Sequence, residues 1–159
     1  MRSGPEPFDT PDVSALCDAQ QEEMRGRYGG VADIGPTREA AMFVAPDGVF
    51  VVVRDDDERA VACGGICRFD DVRAELKRMY VVPDARGQGL GRRVLVELEE
   101  HARALGYTGI VLETGDRQPE SVGLYVSAGF ERMPCYPPYS ERELSLCFEK
   151  RLSTDPNLV

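Results

Sequence analysis

The chain has 159 residues, a net charge of −9 and a hydrophobic fraction of 42%. That is the length of one domain able to bury a core, and the acidic excess disfavours nonspecific binding to nucleic acid, whose phosphates need a positive surface. No apolar run approaches the roughly 20 residues of a membrane helix, and the start, MRSGPEPFDTPD, lacks the apolar centre of a secretory signal, so a cytoplasmic protein without a membrane partner is expected.

No repeat or linker divides the sequence, so one domain over 1–159 is expected, with a core from about 11 to 152 and a frayed tail from 153. A helix is predicted over Asp12–Arg27. Thr10-Pro11 opens it, because Thr can cap and Pro can occupy the first turn. Gly29-Gly30 closes it. Pro36–Ala40 reads as the start of a short second helix. Val49–Val53 is a β-branched run introduced by Pro46-Asp47-Gly48. After a turn at Asp55–Glu58, Ala60–Arg68 pairs back as an antiparallel strand, with Gly64-Gly65 as a bulge. Arg73–Val82 is a third strand. Simple alternation puts Glu75, Lys77 and Met79 on one side and Leu76, Arg78 and Tyr80 on the other.

The second half begins with a helix over Leu90–Leu105. Leu90, Val94, Leu95, Leu98, Ala102 and Leu105 share one face, and Gly106 ends it. Thr108–Glu113 is a strand, and strand–helix–strand order implies a parallel right-handed crossover. Glu120–Ala128 is a short helix ended by Gly129. Phe130–Met133 and Leu144–Lys150 read as antiparallel strands. The stiff loop between them, Pro134–Tyr139, carries two tyrosines expected to be exposed. The sum is an α+β fold: a mixed sheet, antiparallel at both ends, with one parallel step and helices on both faces.

Five cysteines are scattered along the chain: Cys17, Cys63, Cys67, Cys135 and Cys147. Cys63 and Cys67 lack zinc-ribbon spacing, and the single histidine, His101, lies in a helix. Buried, reduced thiols and no metal site are expected.

Arg86-Gly87-Gln88-Gly89-Leu90-Gly91 sits at a strand-to-helix turn. Glycines there let backbone N–H groups approach a ligand, and the helix start adds partial positive charge, so the turn suits phosphate. A P-loop would need Gly-Lys-Ser/Thr, but Gly91 is followed by Arg92-Arg93. A dinucleotide fingerprint would place its last glycine on Arg92 or Val94, so it fails too. The remaining pattern is R/Q-x-x-G-x-G/A. Leu124-Tyr125 follows downstream, with Gly129-Phe130 after it. On these residues, with Glu75–Val81 and Leu112-Glu113-Thr114, the chain resembles the GNAT superfamily of acyl-coenzyme-A-dependent N-acetyltransferases. The resemblance is strongest from Ala74 to Phe130.

The resemblance implies a mostly antiparallel sheet with a splayed parallel pair, formed by the strands ending near Val82 and Glu113. It implies direct acetyl transfer from acetyl-CoA to a primary amine of a small molecule, peptide or protein, without a metal or covalent enzyme intermediate. By the same resemblance, Arg86, Gly87, Gln88, Gly89, Leu90 and Gly91 hold the pyrophosphate, with Arg92 nearby. Met79, Tyr80 and Val81 border the pantetheine arm. Tyr125 is implied as the acid for the departing thiolate. Glu75 and Glu113 compete as base, directly or through water, with a lean to Glu113. The purely structural readings are an ion pair of Glu75 with Lys77 or Arg73 and a hydrogen-bonded strand end for Glu113. Gln118 stands seven positions before Tyr125, where many relatives carry Asn, and reaches one carbon further. Tyr136, Tyr139 and the segment Asp12–Phe43 are expected to shape the acceptor pocket. A homodimer is compatible with the resemblance. The rival readings are a non-catalytic acyl-CoA sensor and, disfavoured by both failed fingerprints, a nucleotide-dependent enzyme.

Overall fold

The computed structural model describes residues 1–29 and 40–153. The short helix expected from Pro36 and the tail after Ser153 lie outside the described residues, apart from Ala40, which stands in a turn. The strands are β1 (Arg2–Pro5), β2 (Val49–Arg54), β3 (Ala60–Arg68), β4 (Arg73–Val81), β5 (Gly109–Gly115), β6 (Glu131–Met133) and β7 (Ser145–Arg151). The helices are α1 (Pro11–Arg27), α2 (Leu90–Ala104) and α3 (Pro119–Ser127). The sheet order is β1-β2-β3-β4-β5-β7-β6. Every neighbouring pair is antiparallel except β4 and β5.

The two long helices cover opposite faces, as consecutive residues of β3 show. The Cys63 thiol lies against Cys17 of α1. Gly64 faces Val94 and Leu98 of α2. Val94, Leu95, Leu98 and Ala102 are at most 1% exposed, as the apolar stripe of α2 predicts. Burying each leucine contributes about 1.5–3 kcal/mol. A part-buried ion pair, Lys150 Nζ to Glu99 Oε1 at 2.8 Å, ties α2 to β7.

Four features depart from the sequence reading. First, β1 is an edge strand paired with β2 from Arg2↔Arg54 to Pro5↔Val51. Its four residues carry no β-branched or aromatic side chain, so period and propensity are silent. Second, Thr10 does not cap α1 with its side chain. Its hydroxyl donates to Asp12, whose carboxylate accepts the Val13 N–H and pairs with Arg54.

Third, the bulge lies across β3 and β4. Gly65 pairs with Lys77, but Cys63 pairs with Tyr80, so β4 holds one extra residue. Arg78 sits there at φ +62°. The extra residue resets the alternation, so Met79 packs over Gly64 toward α2, on the face of Leu76. Fourth, Cys135 and Cys147 form a disulfide, whereas Cys17, Cys63 and Cys67 are buried thiols. The β6–β7 register, Met133↔Cys147, brings the two sulfurs together across twelve residues of sequence. Burial pushes the Cys67 thiol up to about 12.

Gly65 has no room for a side chain. A Cβ there would lie 2.6–2.7 Å from ring atoms of Phe43 and Phe50. Those rings pack edge-on at 5.3 Å and cannot yield without shifting the sheet. Gly65→Val is expected to destabilise the fold by about 1–3 kcal/mol, read as a lower Tm in thermal unfolding. An unchanged Tm would contradict this packing.

Candidate active site

β4 and β5 pair over only four rungs, from Arg73↔Gly109 to Leu76↔Leu112. Beyond Leu112, β5 continues with β7 as far as Gly115↔Ser145, while β4 keeps only β3. The bulge at Arg78 follows directly after the last shared rung, and a bulge bends and twists its strand. The two strands therefore diverge. At the opening, Met79 and Val81 carbonyls accept Gln20 Nε2 and Arg86 Nε, both at 2.9 Å.

A groove of about 430 Å³ runs from this opening to the start of α2. After a 3-10 turn at Pro83–Ala85, Gly87 has φ +82° and Gly89, the N-cap of α2, has φ +75°. Those angles favour glycine. They leave the first N–H groups of α2 without intrahelical partners beside the groove. This donor set, on a long concave groove, fits the phosphates of a coenzyme-A-type ligand. The nearby cations have protein partners. Arg86 Nη2 donates to Glu23 at 2.7 Å, and its guanidinium lies 5.6 Å from the Tyr80 ring centroid. Arg92 donates to Ser127 of α3.

A second cavity, of about 110 Å³, lies on the β5 side. Met79, Gln118 and Tyr125 line both spaces. Tyr125 is 5% exposed, and its ring packs against Phe130 at 5.7 Å. Burial, with the Glu113 charge nearby, pushes its hydroxyl well above the usual tyrosine range. Burial also raises the Glu113 carboxyl, opposed by a hydrogen bond from Ser145 Oγ at 3.0 Å. Glu75 has both oxygens engaged: Tyr136 Oη donates to one at 2.9 Å, and Lys77 Nζ lies 3.7 Å from the other. The ion pair expected of Glu75 is thus present, and Glu113 is hydrogen-bonded as expected but lies two residues inside β5, not at its end.

The two tyrosines of the loop after β6 part company. Tyr139 lines the small cavity. Tyr136 is 7% exposed and packs edge-on against Phe69 at 4.7 Å. It is not among the residues that line either space, and its hydroxyl bonds Glu75 from outside the small cavity's lining. Its burial was hidden in the sequence because the disulfide that fixes its loop was hidden too.

Sequence reasoning missed the part of α1 in the larger groove. Gln20, Glu23, Met24 and Arg27 line it, whereas the sequence reading gives this helix to the acceptor. Their i, i+3, i+4, i+7 spacing marks one helical face, but its mixed polarity gives no apolar stripe. The end of α1 is tied to the loop before α3. Arg27 and Arg117 each donate to the other's carbonyl at 3.0 Å, and Arg27 pairs with Glu120.

Residues 14–130 match the family model for the acetyltransferase (GNAT) family. The chain is 41% identical over 147 residues to an IAA acetyltransferase of Azospirillum brasilense, covering 87% of this chain and 94% of that protein. A putative acyl-CoA N-acyltransferase from Klebsiella pneumoniae superposes with a TM-score of 0.82 at 26% identity, covering 96% of this chain and 97% of that one. The fold is also that of the PaiA N-acetyltransferase from Thermoplasma acidophilum, solved in complex with coenzyme A. The TM-score there is 0.69 at 16% identity, over 95% of this chain and 99% of that one. The chain belongs to the GNAT acetyltransferase family and is an acyltransferase. Among the described residues no helix is long and apolar enough to cross a membrane.

Gly89→Ala tests the turn. Forcing an L-residue to φ +75° costs about 1–2 kcal/mol, which is about tenfold in affinity if the turn opens to avoid it. Calorimetry with coenzyme A is expected to show that loss, and an unchanged Kd would remove the turn from the binding site.

Proposed function

We propose that this chain transfers the acetyl group of acetyl-CoA directly to the primary amine of a small molecule, peptide or protein. The observation that carries the reading is the position of Tyr125, which borders both the glycine-walled groove and the cavity that holds Glu113. Acetyl-CoA, when bound, supplies a thioester whose acetyl carbon is the electrophile.

The residues divide the remaining work. The amides from Arg86 to Gly91 hold phosphate, with Arg92 beside them, and Met79, Tyr80 and Val81 border the arm. Gln118 closes the junction from the loop before α3. The acceptor ammonium gives one proton to water, and Glu113, its pKa raised by burial, takes the second as the C–N bond forms, directly or through water. The nitrogen lone pair forms the new C–N bond, and the C–S bond breaks with its electrons leaving on sulfur. Tyr125 donates a hydrogen bond to that sulfur as charge develops. Tyr125 passes its proton to the sulfur as it takes the one collected by Glu113, directly or through water, so it is a phenol before and after the step. Glu75, held by Tyr136 and Lys77, shapes the cavity and is the second candidate base.

Tyr125→Phe is expected to lower kcat by roughly 10–100-fold with coenzyme A affinity nearly intact. Turnover equal to wild type would remove Tyr125 from the mechanism. Glu113 acts ionised, and its pKa is raised, so the acidic limb of kcat/KM should lie above the ordinary carboxylate range. Glu113→Gln is expected to abolish that limb and Glu75→Gln to leave it in place. The reverse pattern assigns the base to Glu75.

A further inference from the structure

The acceptor cavity carries charges that the composition of the chain does not suggest. The sequence has 28 acidic residues against 19 Lys and Arg, yet two consecutive cations of β4, Lys77 and Arg78, line this small space. Lys77 is 18% exposed at its side chain and pairs with Glu75, whose other oxygen is taken by Tyr136. Arg78 occupies the bulge at φ +62°. A non-glycine residue there costs about 1–2 kcal/mol, and such strain concentrates where a fold holds a side chain for a ligand. Burial also disfavours its charge. A third cation, Arg142, lies 5.3 Å from the ring centroid of Tyr139 at the cavity wall, and its field reaches Glu113.

Position adds to charge. Leu76↔Leu112 is the last shared rung of β4 and β5. Lys77 and Glu113 therefore flank the first open one, and Arg78 follows on the β4 side. Past that rung the two strands are unpaired with each other, and the small cavity is lined by the cations on the β4 side and by Glu113 on the β5 side. A cavity of about 110 Å³ suits a small acceptor or one slender end.

We infer that the acceptor is a small amino acid: an amine carrying its own carboxylate a few bonds from the reacting nitrogen. The carboxylate lies toward Arg78 and Lys77, and the amine toward Glu113 and Tyr125. This rests on the reading of the cavity as the acceptor site, and it names the class of molecule that reading left open.

The test uses the full-length enzyme with acetyl-CoA. The acceptors are the protein amino acids, β-alanine and γ-aminobutyrate, each beside its methyl ester and its decarboxylated amine. Coenzyme release gives kcat/KM, and calorimetry on the coenzyme-A-bound enzyme gives acceptor affinity. A hydrogen-bonded charge contact of about 1.5–3 kcal/mol corresponds to a preference for the carboxylate form of roughly 10–100-fold, carried mainly by KM. Arg78→Met is expected to collapse that ratio toward one. Lys77→Met, which leaves the bulge residue in place, should reduce it if the first variant does not fold. Esters or simple amines used as well as the carboxylates overturn the inference while leaving acetyl transfer standing. Turnover with no acceptor, beside carboxylate-dependent amino-acid binding that Arg78→Met weakens, overturns acetyl transfer and supports the inference. No amino-acid binding and no turnover overturns both.

Discussion

The early end of β4–β5 pairing is the constraint on which the rest of the site depends. After Leu76 and Leu112 the two strands share no further rung. One unpaired edge is normally a liability, but here it lies inside the fold, between α1, α3 and the glycine turn. The bulge at Arg78 turns β4 away, while seven rungs of antiparallel pairing with β7 hold β5 in place. The ties between Arg27 and Arg117 keep α1 across the opening. The groove and the cavity are two sides of one splay, and Tyr125 stands where they meet.

The same geometry gives different surroundings to the two carboxylates that compete as base in the sequence reading. Glu75 lies in the paired part of β4, where Tyr136 and Lys77 satisfy it. Glu113 lies one residue past the last shared rung, where burial outweighs a single hydrogen bond from Ser145. The proposed role of Glu113 as base rests on that difference in surroundings, and Tyr136 donates its hydroxyl to Glu75.

Much of this was legible in sequence because it rests on local rules. The apolar stripe of α2, the β-branched run of β2 and the positive-φ glycines each follow from neighbours within a few residues. So does the crossover that makes β4 and β5 parallel. What escaped depends on partners distant in sequence. β1 is a strand only because β2 offers an edge. The Cys135–Cys147 bond follows from hairpin register, and Tyr136 is buried because that bond and Phe69 enclose it. The bulge escaped for another reason: nothing about an arginine in an alternating strand announces φ +62°.

The central claim is that the splay of β4 is the coenzyme slot. Within a strand the N–H and C=O of one residue point to the same edge. The Met79 and Val81 carbonyls take donors from groove residues, so their N–H groups face the groove as well. Residue-resolved amide hydrogen exchange with and without coenzyme A measures this directly. The account predicts slowed exchange at Met79, Val81 and the amides from Gly87 to Gly91. Saturating coenzyme A that leaves those amides unchanged while protecting another surface would contradict it.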